Sequence, residues 1–180
     1  MTAVQLKVTL VGIEPPIWRR VLVDGSVSLA DLHEILQIAV GWEQIHSHAF
    51  EIGGKRYVDI EEDDPEADEF DEQDAVIERV FAAAREGRYE YDFGDDWQHH
   101  VLVEDTFTVP VELALAVCLG GERSCPPEDC GGSYGYANLL EAISDPGHEE
   151  FDEYIEWVGK DFDPEEFSLA TTNAILQKLR

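Results

Sequence analysis

Basic residues are scarce in this chain. Twelve lysines and arginines stand against 40 aspartates and glutamates, for a formal net charge of −28 over 180 residues. Nucleic acids are held by Lys and Arg that neutralise phosphates and release counterions, so direct nucleic-acid binding is disfavoured. Cysteine is also sparse, and the three thiols, Cys118, Cys125 and Cys130, are an odd number. That excludes a fully paired disulfide framework and points to reduced thiols or a metal site. Apolar runs fall short of the ~20 residues a membrane helix needs. The opening "MTAVQLKVTLVGIEPP" alternates and then breaks at prolines, unlike a signal peptide. Together these shortages predict a soluble, cytoplasmic protein with no membrane contact.

The apolar content, 44%, is enough for a sizeable core at this length, and we expect one domain over 1–180. The negative charge suits solubility or a high-salt milieu, a protein partner with a basic surface, a bound cation, or imitation of DNA.

Val4, Leu6, Val8 and Leu10 alternate as a strand, and "IWRRVLV" supplies a second beyond Pro15 and Pro16, which belong in the connection. Ser28 with Asp31 reads as a helix N-cap, and Leu29, Leu32, Ile35, Leu36 and Ala39 repeat at helical spacing up to Gly41. "HSHAFEIGGKRYVDI" predicts two strands around Gly53-Gly54. The fold class expected is α+β: a curved mixed or antiparallel sheet with a β-β-α-β, ubiquitin-like start and a C-terminal helical segment over about 135–180 packed on it. Its helices are expected at about 136–143, at about 149–158, and from Asp163-Pro164 onward.

The stretch 60–74 is almost wholly acidic and reads as a solvated loop insertion. "AVIERVFAAAREG" then predicts a helix ending at Gly87. In "YDFGDDWQHHVLVE", Tyr89, Tyr91 and Phe93 share one strand face. After a bend shaped by Asp92, Asp95 and Asp96 around Gly94, Trp97, His99, Val101 and Val103 share the inward face of the next strand.

"PPIWRRVLV", "LHEILQIAVGW…HSHAF", "YDFGDDWQHHVLVE", "CLGGERSCPPEDCGGSYGY" and "FDPEEF" together resemble the plasmid pRiA4b ORF-3-like family over nearly the whole chain. The resemblance implies a prokaryotic α+β domain whose biochemical function is unknown. Some relatives carry resolvase or repressor labels without a mechanism, and the acidic insertion falls where members vary.

Two metal sets suggest themselves. Cys118, Cys125 and Cys130 lie in a Gly/Pro-rich stretch able to wrap zinc, although C-x6-C-x4-C lacks the close pairs of a zinc knuckle. His46, His48, His99 and Asp96 would suit another divalent metal or acid-base work if strand pairing brought them together. Against both stands the alternative that thiols and imidazoles simply complete the core. Trp97, His99, Glu128, Asp129 and Tyr134 are the candidate ligand contacts, the last three in a loop rich in glycine. The DFG triplet lacks the accompanying kinase motifs, and no catalytic set is complete. The leading expectation is a non-catalytic interaction or ligand-binding protein. The alternatives are a metal-dependent enzyme and an acidic DNA mimic or DNA-associated factor.

Overall fold

Alternation over β1 (Thr2–Leu10) turns Val4, Leu6, Val8 and Leu10 inward, and β2 (Trp18–Asp24) pairs antiparallel with it. The computed structural model describes residues 1–60, 68–110 and 115–179. Helix α1 (Leu29–Val40) begins with a capping box in which the Ser28 hydroxyl accepts from the Asp31 N–H and the Asp31 carboxylate accepts from the Ser28 N–H. It ends at Gly41 in the left-handed region, φ 113°. Leu29, Leu32, Ile35 and Leu36 are wholly buried.

β3 (His48–Ile52) and β4 (Lys55–Val58) form the hairpin expected around Gly53-Gly54. The short strands and helices that follow are β5 (Glu69–Asp71), α2 (Ile77–Val80) and β6 (Glu86–Tyr91). β7 (Trp97–Thr108) is the longest strand, and β8 (Ala116–Glu122) the last. The chain closes with α3 (Gly132–Ser144), α4 (Phe151–Val158) and α5 (Leu169–Leu176).

The described strands make one open mixed sheet in the order β5-β4-β3-β6-β7-β1-β2-β8, antiparallel except for β4 with β5. The α+β class and the C-terminal helical segment are as expected. The ubiquitin-like start is not confirmed: two strands, β6 and β7, stand between β3 and β1.

Several local expectations change. The helix foreseen through Gly87 stops at Val80, because β7 draws the chain into the sheet: the Val103 N–H donates to Arg85 O at 2.8 Å. Gly87 is then a strand residue packed so closely on β3 that a Cβ would sit 2.8 Å from Ile52 Cγ1. Of the acidic stretch, 61–67 lie outside the described residues, but 69–71 form edge strand β5 and Glu72 is buried at 2% exposure. The last helix starts at Leu169, capped by Ser168, rather than at Asp163-Pro164, since 163–166 make a turn whose carbonyls accept from the Ser124 hydroxyl.

α5 also covers edge strand β8. Asn173 accepts from the Cys118 N–H (2.8 Å) and donates to Cys118 O (2.9 Å), as a neighbouring strand would. On β7 the inward alternation is as foreseen, with Trp97 and His99 each 1% exposed and Val101 and Val103 buried beside them. Phe93 instead lies in the bend, 44% exposed.

Removing a ring this deeply buried leaves a cavity, so Trp97→Ala should lower stability by about 3–5 kcal/mol in urea unfolding. A loss below about 1 kcal/mol would place the ring outside the core.

Candidate functional site

Three segments distant in sequence meet at one end of the sheet: 41–47 after α1, the bend 92–96, and 123–131 before α3. Arg19 on β2 holds the first to the third. It is 3% exposed, and its guanidinium donates only to carbonyls: Ala39 (2.7 Å) and Val40 (3.3 Å) at the end of α1, Trp18 (2.8 Å), Glu122 (2.8 Å) and Arg123 (2.7 Å). Phe167 covers it, 4.2 Å from ring centre to Cζ. Further stitches follow. The Trp42 indole N–H donates to Pro126 O at 2.9 Å, and the Glu43 N–H to Glu128 Oε1 at 2.9 Å. The bend is tied in by Asp95, whose carboxylate accepts from the Gly131 N–H at 3.0 Å. A Cβ on Gly132 would lie 2.5 Å from Asp95 O, so this close approach requires glycine.

Where the segments meet, His46 Nε2 faces three carboxylates: Asp129 Oδ1 at 3.0 Å, Asp92 Oδ2 at 3.5 Å and Glu128 Oε2 at 3.9 Å. Donor atoms of His46, Asp92 and Asp129 all lie within 4.8 Å of one another, the only such set of three or more His, Cys, Asp or Glu among the described residues. Glu128 stands at its margin. Ligands about 2.0–2.2 Å from one ion sit roughly 3–3.6 Å apart, close to these separations. His46 Nε2 and Glu128 Oε2 are buried and make no hydrogen bond.

Two of the three carboxylates are oriented from behind. Asp92 Oδ1 accepts from the N–H groups of Gly94 (2.9 Å) and Asp95 (3.2 Å). Glu128 Oε1 accepts from the Tyr91 hydroxyl at 3.0 Å, and Tyr91 in turn accepts from the Ile45 N–H at 3.2 Å. Burial raises the Tyr91 phenol above its ordinary value and keeps it a donor. The non-glycine residues at positive φ among those described are Gln44, Asp92, Asp96, Arg123 and Asp129. All five lie in these segments, and such strain gathers where geometry serves function.

The anticipated residues divide. His46, Glu128 and Asp129 are brought together. His48 is not with them: His46 precedes β3, whereas His48 begins it, pairs with buried Glu72 at 2.8 Å and stacks on His33 at 3.5 Å. His99 is in the core, with Nδ1 3.1 Å from Tyr89 O and its ring edge-on to Trp42. Asp96 faces solvent and accepts from Gln98, while Trp97 is buried and Tyr134 is 78% exposed on α3. Cys118, Cys125 and Cys130 are free thiols that form no ligand set with a histidine among the described residues. Burial pushes the Cys125 and Cys130 thiols up to about 12 and raises Cys118. Sequence reasoning had assigned Asp92 to the bend alone. Its second oxygen has no sequence signal, because its partners are 46 and 129.

The family model described as Plasmid pRiA4b ORF-3-like protein matches residues 2–171. An uncharacterised protein from Sinorhizobium fredii, y4hQ, is 36% identical over 99% of this chain and 92% of its own length. The crystal structure of MM3350 from Methanosarcina mazei Go1, a protein of unknown function, superposes with a TM-score of 0.82 at 36% identity. It covers 93% of this chain and 95% of that one.

Two imidazoles give stability a pH dependence. Burial, with a contribution from His48, pushes His33 down to about 3, and burial pushes His99 down to about 4, from an ordinary 6.5. Below pH 6.5 the unfolded chain therefore binds protons that the folded one refuses. Stability falls as pH drops from 6.5 towards 4 for His99 and towards 3 for His33, each by up to about 1.4 kcal/mol per pH unit. Urea unfolding of His33→Phe and His99→Phe should each show a shallower fall between pH 6.5 and 4.5 than the parent. Parallel profiles would contradict the assignment.

Proposed function

The chain belongs to the plasmid pRiA4b ORF-3-like family, and from that premise we propose that it is a ligand-binding protein built around a divalent metal ion held by His46, Asp92 and Asp129, with Glu128 beside them. The observation that carries this is the convergence of three carboxylates on His46 Nε2, which is buried yet hydrogen-bonded to none of them. One imidazole with carboxylate oxygens suits zinc, manganese or ferrous iron. Three protein donors leave coordination positions for a ligand.

Binding is favoured over covalent catalysis because the nearby thiols are held protonated, far from the thiolate form a nucleophile needs. A second reading, a metal-dependent enzyme, draws on one feature: Glu128 Oε2 is buried, makes no hydrogen bond and sits at the margin of the cluster, where a general base would stand. We take 1–180 as one domain. A cytoplasmic location is supported by the free thiols, and among the described residues no helix is long and apolar enough to cross a membrane.

The charge favours a protein partner with a basic surface over nucleic acid. Several of the few arginines are already engaged: Arg20 with Glu104, Arg56 with Glu51, Glu69 and Glu90, and Arg123 with Glu165.

Untagged protein stripped with chelator and titrated calorimetrically with Mn²⁺ and Zn²⁺ should bind one ion per chain. His46→Ala and Asp92→Asn should weaken binding by at least about tenfold; the asparagine keeps an oxygen for the bend. Asp96→Asn should leave binding unchanged. Equal uptake by parent, His46→Ala and Asp92→Asn, or none by any, would sink the proposal. With the metal at about 100 times Kd, unfolding should require about 2.7 kcal/mol more.

A further inference from the structure

Beside the cluster, and sharing only Glu128 with it, a cleft of about 450 Å³ opens between the Trp42–Glu43 turn, the Pro126–Pro127 segment and the end of α4. We propose that this cleft binds a small organic ammonium ion.

Two tryptophans and a phenylalanine contribute to its walls. Trp42 is fixed by its bond to Pro126 O and by stacking on Tyr91 at 4.8 Å. Opposite stand Trp157, Val158 and Phe162. Trp157 is 47% exposed on a helix that buries none of its residues, although its neighbour Tyr154 packs against it at 6.2 Å. A large ring left on the surface at the mouth of a cleft is a contact in waiting. The volume lies within the range of small-molecule sites.

The charges in the lining are all of one sign. Glu43 and Glu128 are its carboxylates, and no lysine or arginine contributes to it. The Glu128 carboxylate in the lining is held in place by the Tyr91 hydroxyl and the Glu43 N–H, both donating to its Oε1. Aromatic faces attract cations through the ring quadrupole, most strongly where water is displaced. A net charge of −28 raises the local concentration of cations and repels anions. An anionic ligand would face both glutamates, and a purely apolar one would leave them unsatisfied.

The test uses metal-free full-length protein at near-physiological ionic strength, where diffuse attraction is screened. Two ammonium probes, choline and n-butylammonium, are titrated by calorimetry beside 3,3-dimethylbutan-1-ol, the neutral isostere of choline. At least one ammonium should bind about tenfold more tightly than the neutral alcohol. Trp157→Ala, at a half-exposed ring and checked by circular dichroism to be folded, and Glu43→Gln should each weaken that binding by about fivefold or more. Asp92→Asn should leave it unchanged while weakening metal binding, which separates this site from the metal centre. Equal affinity for the neutral isostere, indifference to Trp157→Ala, or no binding of either ammonium at millimolar concentration would overturn the proposal.

Discussion

A buried guanidinium that makes no ion pair among the described residues organises this end of the molecule. Arg19 spends its N–H groups on five carbonyls from β2, the end of α1 and the end of β8. Two of those carbonyls, Ala39 and Val40, belong to the negative end of the α1 dipole, a favourable place for a cation. The planar fork reaches separate backbones at fixed angles, which a lysine ammonium cannot do. Because Gly41 begins directly after one anchored segment and Ser124 directly after another, the positions of Trp42, His46, Glu128 and Asp129 all follow from this contact.

The opposite flank is held by a polar chain through the core. Buried Glu72 pairs with His48, which stacks on His33; His33 Nδ1 lies 2.8 Å from the Tyr89 hydroxyl. Gln37 donates to that hydroxyl at 2.9 Å and accepts from the Gln44 N–H at 3.0 Å, reaching the turn that carries His46. Buried polar groups are costly unless paired, and here pairing them links the end of the acidic segment to the candidate site. Both imidazole rings in the stack avoid mutual repulsion because His33 stays neutral, with burial pushing it down to about 3.

What could be read from the sequence was whatever is periodic or capped. The alternation of β7, the Ser28–Asp31 cap and the Gly53-Gly54 hairpin are local, and each appears where expected. Residues 77–87 misled because helical spacing over a few residues is weaker than a long β-ladder: β7 claims Arg85 onwards. Glu72 misled in another way, since composition marks its stretch as solvated while one buried histidine supplies a partner. The site was legible only in part. Glu128, Asp129 and His46 stood out by residue type, but their convergence on Asp92 depends on Arg19 and on the Asp95–Gly131 contact. Those contacts span 104 and 36 positions in the chain, and no local pattern encodes them.

The cluster makes little sense as a device for stability alone. In a chain already at −28, drawing three carboxylates towards one imidazole adds repulsion, and Asp92 and Asp129 occupy left-handed backbone besides, φ 56° and 57°. Strain of that kind costs of order 1–3 kcal/mol at each residue. Asp92 and Glu128 each use one oxygen to anchor the surrounding turns and direct the other at His46. Groups placed only to brace loops would not need that second orientation. A cation at their centre, as proposed above, would offset that repulsion and give His46 Nε2 and Glu128 Oε2, which make no hydrogen bond, a common partner.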